Sequence, residues 1–440
     1  MNEAEALRRL LKGRVQPATR HFGMEADAAP TPRRAPGLKE LLPQAEARRA
    51  AGRVCLHLRS RAPLTGERTA EGYVCPALDR RHLTAENLAV LGRDARWGDV
   101  DPTRIAFLDC ETTSLAGGVG TCVFLIGLGR LTGESFELRQ FFMEDYPEEP
   151  ALIECVQEAL ETAQAIVSYN GRGFDVPLME ARWRLNRRVP RFPGLHLDLL
   201  HTARRLWRFR LADRRLETVE REMLGVLRVS DVLSAEIPSI YFEYLRGVRR
   251  ERMLRVLDHH AQDIFSLGGL LGRLCGAVAR PEDPRFDEAG EQHGLAALFF
   301  AAGREAEGIA ALERAIVAAR DEAVGFGLSM RLARRLLRAG RRAEAVAIWE
   351  ARARQARPSV GLEPLLELAK HHEHHLKDPA GARRWAERAL AILESEAETA
   401  AWTGREVGEA SRRRTAIEAW RHRLNRLRRR EAAAVSSSPA

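Results

Sequence analysis

Hydrophobic positions change their spacing several times along the chain. Between 104 and 143 lie three short apolar stretches, 104–108, 122–131 and 136–143, each bounded by glycine or a polar turn. Runs of that length predict strands, and their short connections predict an antiparallel meander. The spacing then becomes helical over 150–163, at Leu152, Ile153, Val156 and Leu160. Residues 165–169 predict a buried strand that stops at Asn170-Gly171-Arg172-Gly173. A helix opens near 174–177, where Pro177 suits a first turn. Residues 197–200 read as another strand end, followed by an arginine-rich helix over 201–209. Further helices are predicted over 217–225 and 238–246. A long helix spans 249–274, apolar at Leu254, Leu257, Ala261, Ile264 and Leu267.

Beyond Pro281 every stretch reads as helix, with an internal period. Glu313, Glu350 and Glu387 recur at one spacing; Gly303, Gly340 and Lys377 share it. Each lies between two helical stretches, so the reading is a helix–turn–helix unit stacked about three times. This part resembles a tetratricopeptide-type repeat, which implies a groove for a partner protein or a packing platform. In residues 412–430, Ile417, Trp420, Leu424 and Leu427 form one stripe, and arginines fill the other faces. These arginines either meet phosphates or are simply solvated.

The remaining segments carry less pattern. The Pro/Arg run 30–37 tolerates neither helix nor strand, so 1–50 is expected to be poorly ordered. Residues 51–103 read as a small β-rich lead-in, 104–280 as the α/β domain, 281–430 as the helical repeats and 431–440 as a disordered tail.

Composition narrows the class. The 440 residues are 45% hydrophobic, enough for real cores. No run is long and apolar enough for a membrane span, and no secretory signal is visible. The six cysteines contain no C-x-x-C pair, which argues against a zinc ribbon and fits a reducing cytoplasm. The net charge of +9 comes almost entirely from arginine. It favours a polyanionic partner, nucleic acid above all, although a GC-rich genome, whose codons enrich arginine and alanine, produces the same bias.

Candidate chemistry gathers in 104–275. Asp109 and Glu111 end the first strand two residues apart, and therefore on one face. Such a pair is costly unless a cation neutralises it, and oxygen donors suit Mg²⁺ or Mn²⁺. Asp175 follows the second buried strand. His259 and Asp263 lie four apart on one face of the long helix, whereas His260 points about 100° away. Four carboxylates from two strand ends and two helices make a set suited to two divalent ions around a scissile phosphate. A histidine beside them suits proton transfer near neutral pH.

Asp109-x-Glu111, Asn170-x4-Asp175 and His259-x3-Asp263 resemble the three motifs of the DEDD exonuclease superfamily, which is built on an RNase H-like fold. The strings 109–113, 168–177 and 196–200 are similar to the YprB-type RNase H-like family. The resemblance implies an α/β RNase H-like domain, a mixed sheet flanked by helices, followed by the all-α repeats. It implies metal-dependent 3′–5′ exonuclease activity on single-stranded DNA or RNA. Asp109, Glu111, Asp175 and Asp263 would be metal ligands and His259 the proton acceptor, with Asp198 supporting the fold around them. Relatives place Tyr with the same spacing, or His with one residue more, so His259 falls between two patterns. The alternatives are a non-catalytic nucleic-acid-binding module and a repeat-led protein scaffold. Gly117-Gly118-Val119-Gly120 lacks the Lys-Ser or Lys-Thr of a phosphate loop and reads as a turn beside the first acids.

Overall fold

The computed structural model describes residues 37–114, 120–228, 231–357, 361–403 and 407–436. Expectations for 1–36, for the turn at 117–119 and for 437–440 fall outside them.

A seven-stranded mixed sheet forms the first half, in the order β1-β2-β5-β4-β3-β6-β7. The strands are β1 (Glu46–Ala50), β2 (Arg53–Pro63), β3 (Ile105–Thr112), β4 (Val123–Thr132), β5 (Ser135–Phe142), β6 (Ala165–Ser168) and β7 (Leu195–Asp198). The expected meander is β3-β4-β5, all antiparallel. β6 and β7 add in parallel beyond β3, after crossovers through helices. β2 extends the opposite edge antiparallel to β5, and β1 pairs antiparallel with β2 beyond it. The segment read as a lead-in is thus continuous with the sheet.

Helices cover the sheet: α1 (Ala85–Gly92), α2 (Glu149–Leu160), α3 (Asp175–Leu185), α4 (Leu199–Leu206), α5 (Ile237–Leu245) and α6 (Arg252–Ala279). Alternation along β3 divides its apolar residues between two cores: Ile105 and Phe107 join one, Ala106, Leu108 and Cys110 the other. A strand apolar on both faces belongs inside a covered sheet. α6 lies over the Phe107 face. It comes close because β4 carries Gly127 and Gly129 there. A Cβ on Gly127 would stand 2.0 Å from Ile264 Cδ1 and 2.6 Å from His260 Cε1.

The second half is helical throughout the described residues: α7 (Ala289–Ala301), α8 (Glu305–Ala318), α9 (Glu322–Arg338), α10 (Arg342–Ala353), α11 (Glu363–Lys370), α12 (Pro379–Thr403) and α13 (Val407–Ser436). The three residues that mark the sequence period all adopt left-handed backbone at the turns: Gly303 at φ +75°, Gly340 at +78° and Lys377 at +56°. Such a residue ends one helix and reverses the chain into the next.

Two expectations of disorder are corrected. Residues 37–50 hold a helical turn, Leu38–Leu41, and β1. Leu38 is buried, and its N–H donates to Glu144 Oε1 at 2.8 Å and Tyr244 Oη at 3.0 Å. At the other end α13 runs to Ser436. Glu431 pairs with Arg383 at 2.8 Å and the alanines that follow favour helix. Three arginines of α13, Arg423, Arg426 and Arg430, converge on the buried Glu373 at 2.7–3.1 Å. They are used inside the fold. Trp207 is likewise packed, its Nε1 donating to Glu291 at 2.9 Å, whereas Phe209 is exposed.

Candidate metal centre

Asp109 and Glu111 continue the alternation that sends Phe107 toward α6. α6 in turn brings His259, His260 and Asp263 over the end of β3. Ligand atoms of Glu111, His259 and Asp263 all lie within 4.8 Å of one another. His259 Nε2 is 3.4 Å from Asp263 Oδ2. Asp109 and Asp175 stand outside that trio but within its electrostatic reach. Burial, then the charges of Asp263, Asp175 and Glu111, hold the Asp109 carboxyl well above the usual range. Glu111 is pushed up to about 8, by burial first and then by Asp263 and Asp175 against the opposing pull of His259. Burial raises Asp175 to about 6, although its Oδ1 accepts from Cys110 Sγ at 2.9 Å. Buried acids that repel one another form a donor set matched to a hard divalent cation.

His260 takes a part that helix geometry did not suggest. It is fully buried against Gly127, its Nε2 3.2 Å from the Asp109 carbonyl and 3.8 Å from Asp109 Oδ2. Burial lowers it to about 4, so the ring is neutral. It braces the backbone at Asp109.

Residues 106–275 match the sequence profile of the RNase H superfamily. YprB of Bacillus subtilis is 32% identical over 297 residues, 67% of this chain and 71% of that protein. The chain belongs to the YprB family. A family B DNA polymerase from the hyperthermophilic archaeon Pyrobaculum calidifontis aligns at 18% identity with a TM-score of 0.32, over 49% of this chain and 29% of the polymerase. No helix among the described residues is long and apolar enough to cross a membrane.

In this YprB-family chain three further residues shape the site, and no motif announced them. Arg228 lies among the acids with its side chain 11% exposed. Its Nε and Nη2 grip Glu220 at 2.7 Å each, Nη1 donates to Asp231 at 3.0 Å, and Nη2 also donates to Asp263. Burial would lower its pKa, but Asp263 and Glu220 outweigh burial and hold the guanidinium charged. Asp231 Oδ1 lies 2.8 Å from His259 Nδ1. Arg228 Nη1 also crowds Nδ1, at 3.1 Å; Asp231 accepts a hydrogen bond when Nδ1 is protonated, and Nε2 faces the acids. Burial opposes charge on His259, yet Asp263, Asp231 and Glu111 together push it up to about 9. Asp231 falls to about 2 because the His259 hydrogen bond and the Arg228 charge outweigh its burial. Arg228 and Asp231 sit on irregular backbone and Glu220 on a short helical turn before it, where no period exposes them.

Asp198 shapes the turn that precedes Asp175. Its Oδ1 accepts from the Asn170 N–H at 2.8 Å and the Leu200 N–H at 3.1 Å, and Oδ2 accepts from the Arg172 N–H at 3.2 Å. Asn170 is left-handed there, at φ +66°. The tight turn needs Gly171, where a Cβ would meet Ser168 Oγ at 2.6 Å and Asp175 Oδ2 at 2.9 Å.

Proposed function

We propose that this chain is a divalent-metal-dependent nuclease that removes nucleotides from the 3′ end of single-stranded DNA or RNA. The observation that carries the reading is the convergence of Glu111, His259 and Asp263 within 4.8 Å beside two further raised acids. Asp109, Glu111, Asp175 and Asp263 would hold one or two Mg²⁺ or Mn²⁺ ions. When bound, such ions offset the charge of a phosphodiester and make water more acidic. The chain does the rest. His259, oriented by Asp231, already carries its extra proton at neutral pH in the metal-free chain; with a cation beside Glu111 and Asp263 its basicity falls, and Nε2 is freed to receive a proton from water. His260 and the close approach of α6 fix the end of β3. Asp198 fixes the turn that presents Asp175. The polarity of attack is inferred from the likeness of the three motifs to DEDD exonucleases. The helical half is proposed as a tetratricopeptide-type platform for a partner protein.

One observation favours a second reading, a nucleic-acid-binding module without turnover. Arg228 already neutralises Asp263, so the site is partly balanced without an ion. A labelled oligonucleotide separates the two. The nuclease reading expects degradation with Mn²⁺ and loss of it in Asp109→Ala. Strand binding with no cleavage under Mg²⁺ or Mn²⁺, alike in wild type and variant, selects the binding module.

A further inference from the structure

The sheet has a second charged surface, on the face turned away from the carboxylates. Strand register assigns it. Asp109 pairs with Gly127, which faces α6. One residue along, Leu108 pairs with Leu128, Leu128 with Arg139, and Arg139 with Arg59, so this row lies on the opposite face. In the next row on that face Arg130 pairs with Glu137, and Glu137 with Arg61.

Arg59 and Arg139 are thus directly opposed across two strands, with Arg130 diagonal to Arg139. Like charges placed so destabilise a sheet unless something neutralises them. Little in the chain does. Among the described residues neither Arg130 nor Arg139 has an ion pair, and Arg59 reaches only the exposed Glu46 at 3.8 Å. The guanidiniums are nevertheless held in place. Arg139 Nε donates to His57 Nε2 at 3.2 Å and lies over the Phe141 ring at 5.3 Å. Arg130 donates to Thr162 Oγ1 at 2.7 Å and to the Ala159 carbonyl, where α2 ends. Burial and the other arginines depress the basicity of Arg139. With Thr103, Thr132, Gly133 and one carboxylate, Glu137, these side chains line an open groove of about 440 Å³, in which three guanidiniums outnumber the single acid.

We propose that this groove binds the phosphodiester backbone of single-stranded nucleic acid, as a second binding place remote from the carboxylates. The inference rests on the nuclease reading for its choice of polyanion. Arg130 and Arg139, preplaced and without ion pairs among the described residues, match phosphate oxygens, and the Thr132 hydroxyl adds a donor beside them, that of Thr103 being spent on Asp101 at 2.8 Å. The groove holds a long strand while its end is processed elsewhere. A strand of a few nucleotides cannot use both places.

The test is fluorescence anisotropy in EDTA, so that binding is read without turnover. The probes are a fluorescein-labelled thirty-nucleotide oligothymidylate and a five-nucleotide one. Arg59→Glu, at an exposed position, and Arg130→Ala/Arg139→Ala are compared with wild type, with circular dichroism as the control for folding. Both variants should bind the long strand about tenfold more weakly, and the slope of log affinity against log salt should fall by roughly 0.7 for each phosphate that the variant no longer neutralises. The short strand should bind them as it binds wild type. Unchanged affinity and slope in folded Arg59→Glu overturn the groove and leave the nuclease reading standing. Failure of wild type to bind either strand overturns both. Weaker binding of polyglutamate with unchanged strand binding assigns the face to an acidic protein and overturns the proposal.

Discussion

Glu111→Gln separates the electrostatic cost of the site from its packing. The Glu111 carboxyl is pushed from 4.5 to about 8, and that of Asp175 from 3.8 to about 6. Both bind protons more tightly in the folded chain than in the unfolded one. Their penalty is therefore absent below about pH 4, grows as pH rises, and for Glu111 is complete above about pH 8. His259, raised to about 9, acts in the same direction: its pairing with Asp263 and Asp231 is fully present below pH 6.5 and lost as pH passes 9. At about 1.4 kcal/mol per pH unit, Glu111 costs the metal-free protein on the order of 5 kcal/mol at pH 8. The side chain is partly exposed, so about 2–5 kcal/mol is the expected range. Glutamine keeps the shape and removes the charge. In EDTA at pH 8, Glu111→Gln should resist urea better than wild type, and the advantage should shrink toward pH 5. Mn²⁺ should narrow the gap, because an ion at a hundredfold excess over its dissociation constant adds about 2.7 kcal/mol to wild type and little to the variant. The assay is urea unfolding followed by tryptophan fluorescence at pH 5, 6.5 and 8, with EDTA or Mn²⁺. A variant less stable than wild type at pH 8 in EDTA, or an equal Mn²⁺ shift in both, would refute the reasoning.

Other perturbations test the supports. Arg228→Ala strands the buried Glu220 and should cost about 3–5 kcal/mol in the metal-free protein, read by urea unfolding; a neutral result would place no value on the Arg228 network. Gly127→Ala drives a methyl into Ile264 and His260, and should cost about 1–3 kcal/mol while weakening Mn²⁺ affinity by calorimetry, because α6 and β3 are forced apart. Asp198→Ala leaves three backbone N–H groups without their acceptor and should cost about 1–3 kcal/mol. Its Mn²⁺ affinity should fall too, as the turn before Asp175 loosens.

Much of this was legible because period carries direction. The short runs of β3, β4 and β5 and the helical spacing of α2 and α6 follow from burial alone. Asp109 and Glu111 had to share a face once β3 was a strand. Gly303, Gly340 and Lys377 marked turns because a chain reversal needs a left-handed residue. What stayed hidden has no period. β1 is an edge strand whose partly exposed Arg48 and exposed Arg49 give no alternation of apolar and polar residues, and its place beside β2 depends on pairing at a distance. Arg228 and Asp231 sit on irregular backbone, and Glu220 on a helical turn eight residues before Arg228; only the fold brings them to His259 and Asp263. His260 was set aside because it leaves the His259 face. That same turn of the helix carries it onto the Asp109 backbone.

Diffraction from Mn²⁺-soaked crystals, with anomalous data at the manganese edge, is the most direct measurement of the central claim. The account predicts at least one anomalous peak bonded to carboxylate oxygens of Glu111 and Asp263, within reach of Asp109 and Asp175. It also predicts that Arg228 withdraws from Asp263 while still holding Glu220. A map with no peak among these four acids, and Arg228 still on Asp263 at saturating Mn²⁺, would contradict it.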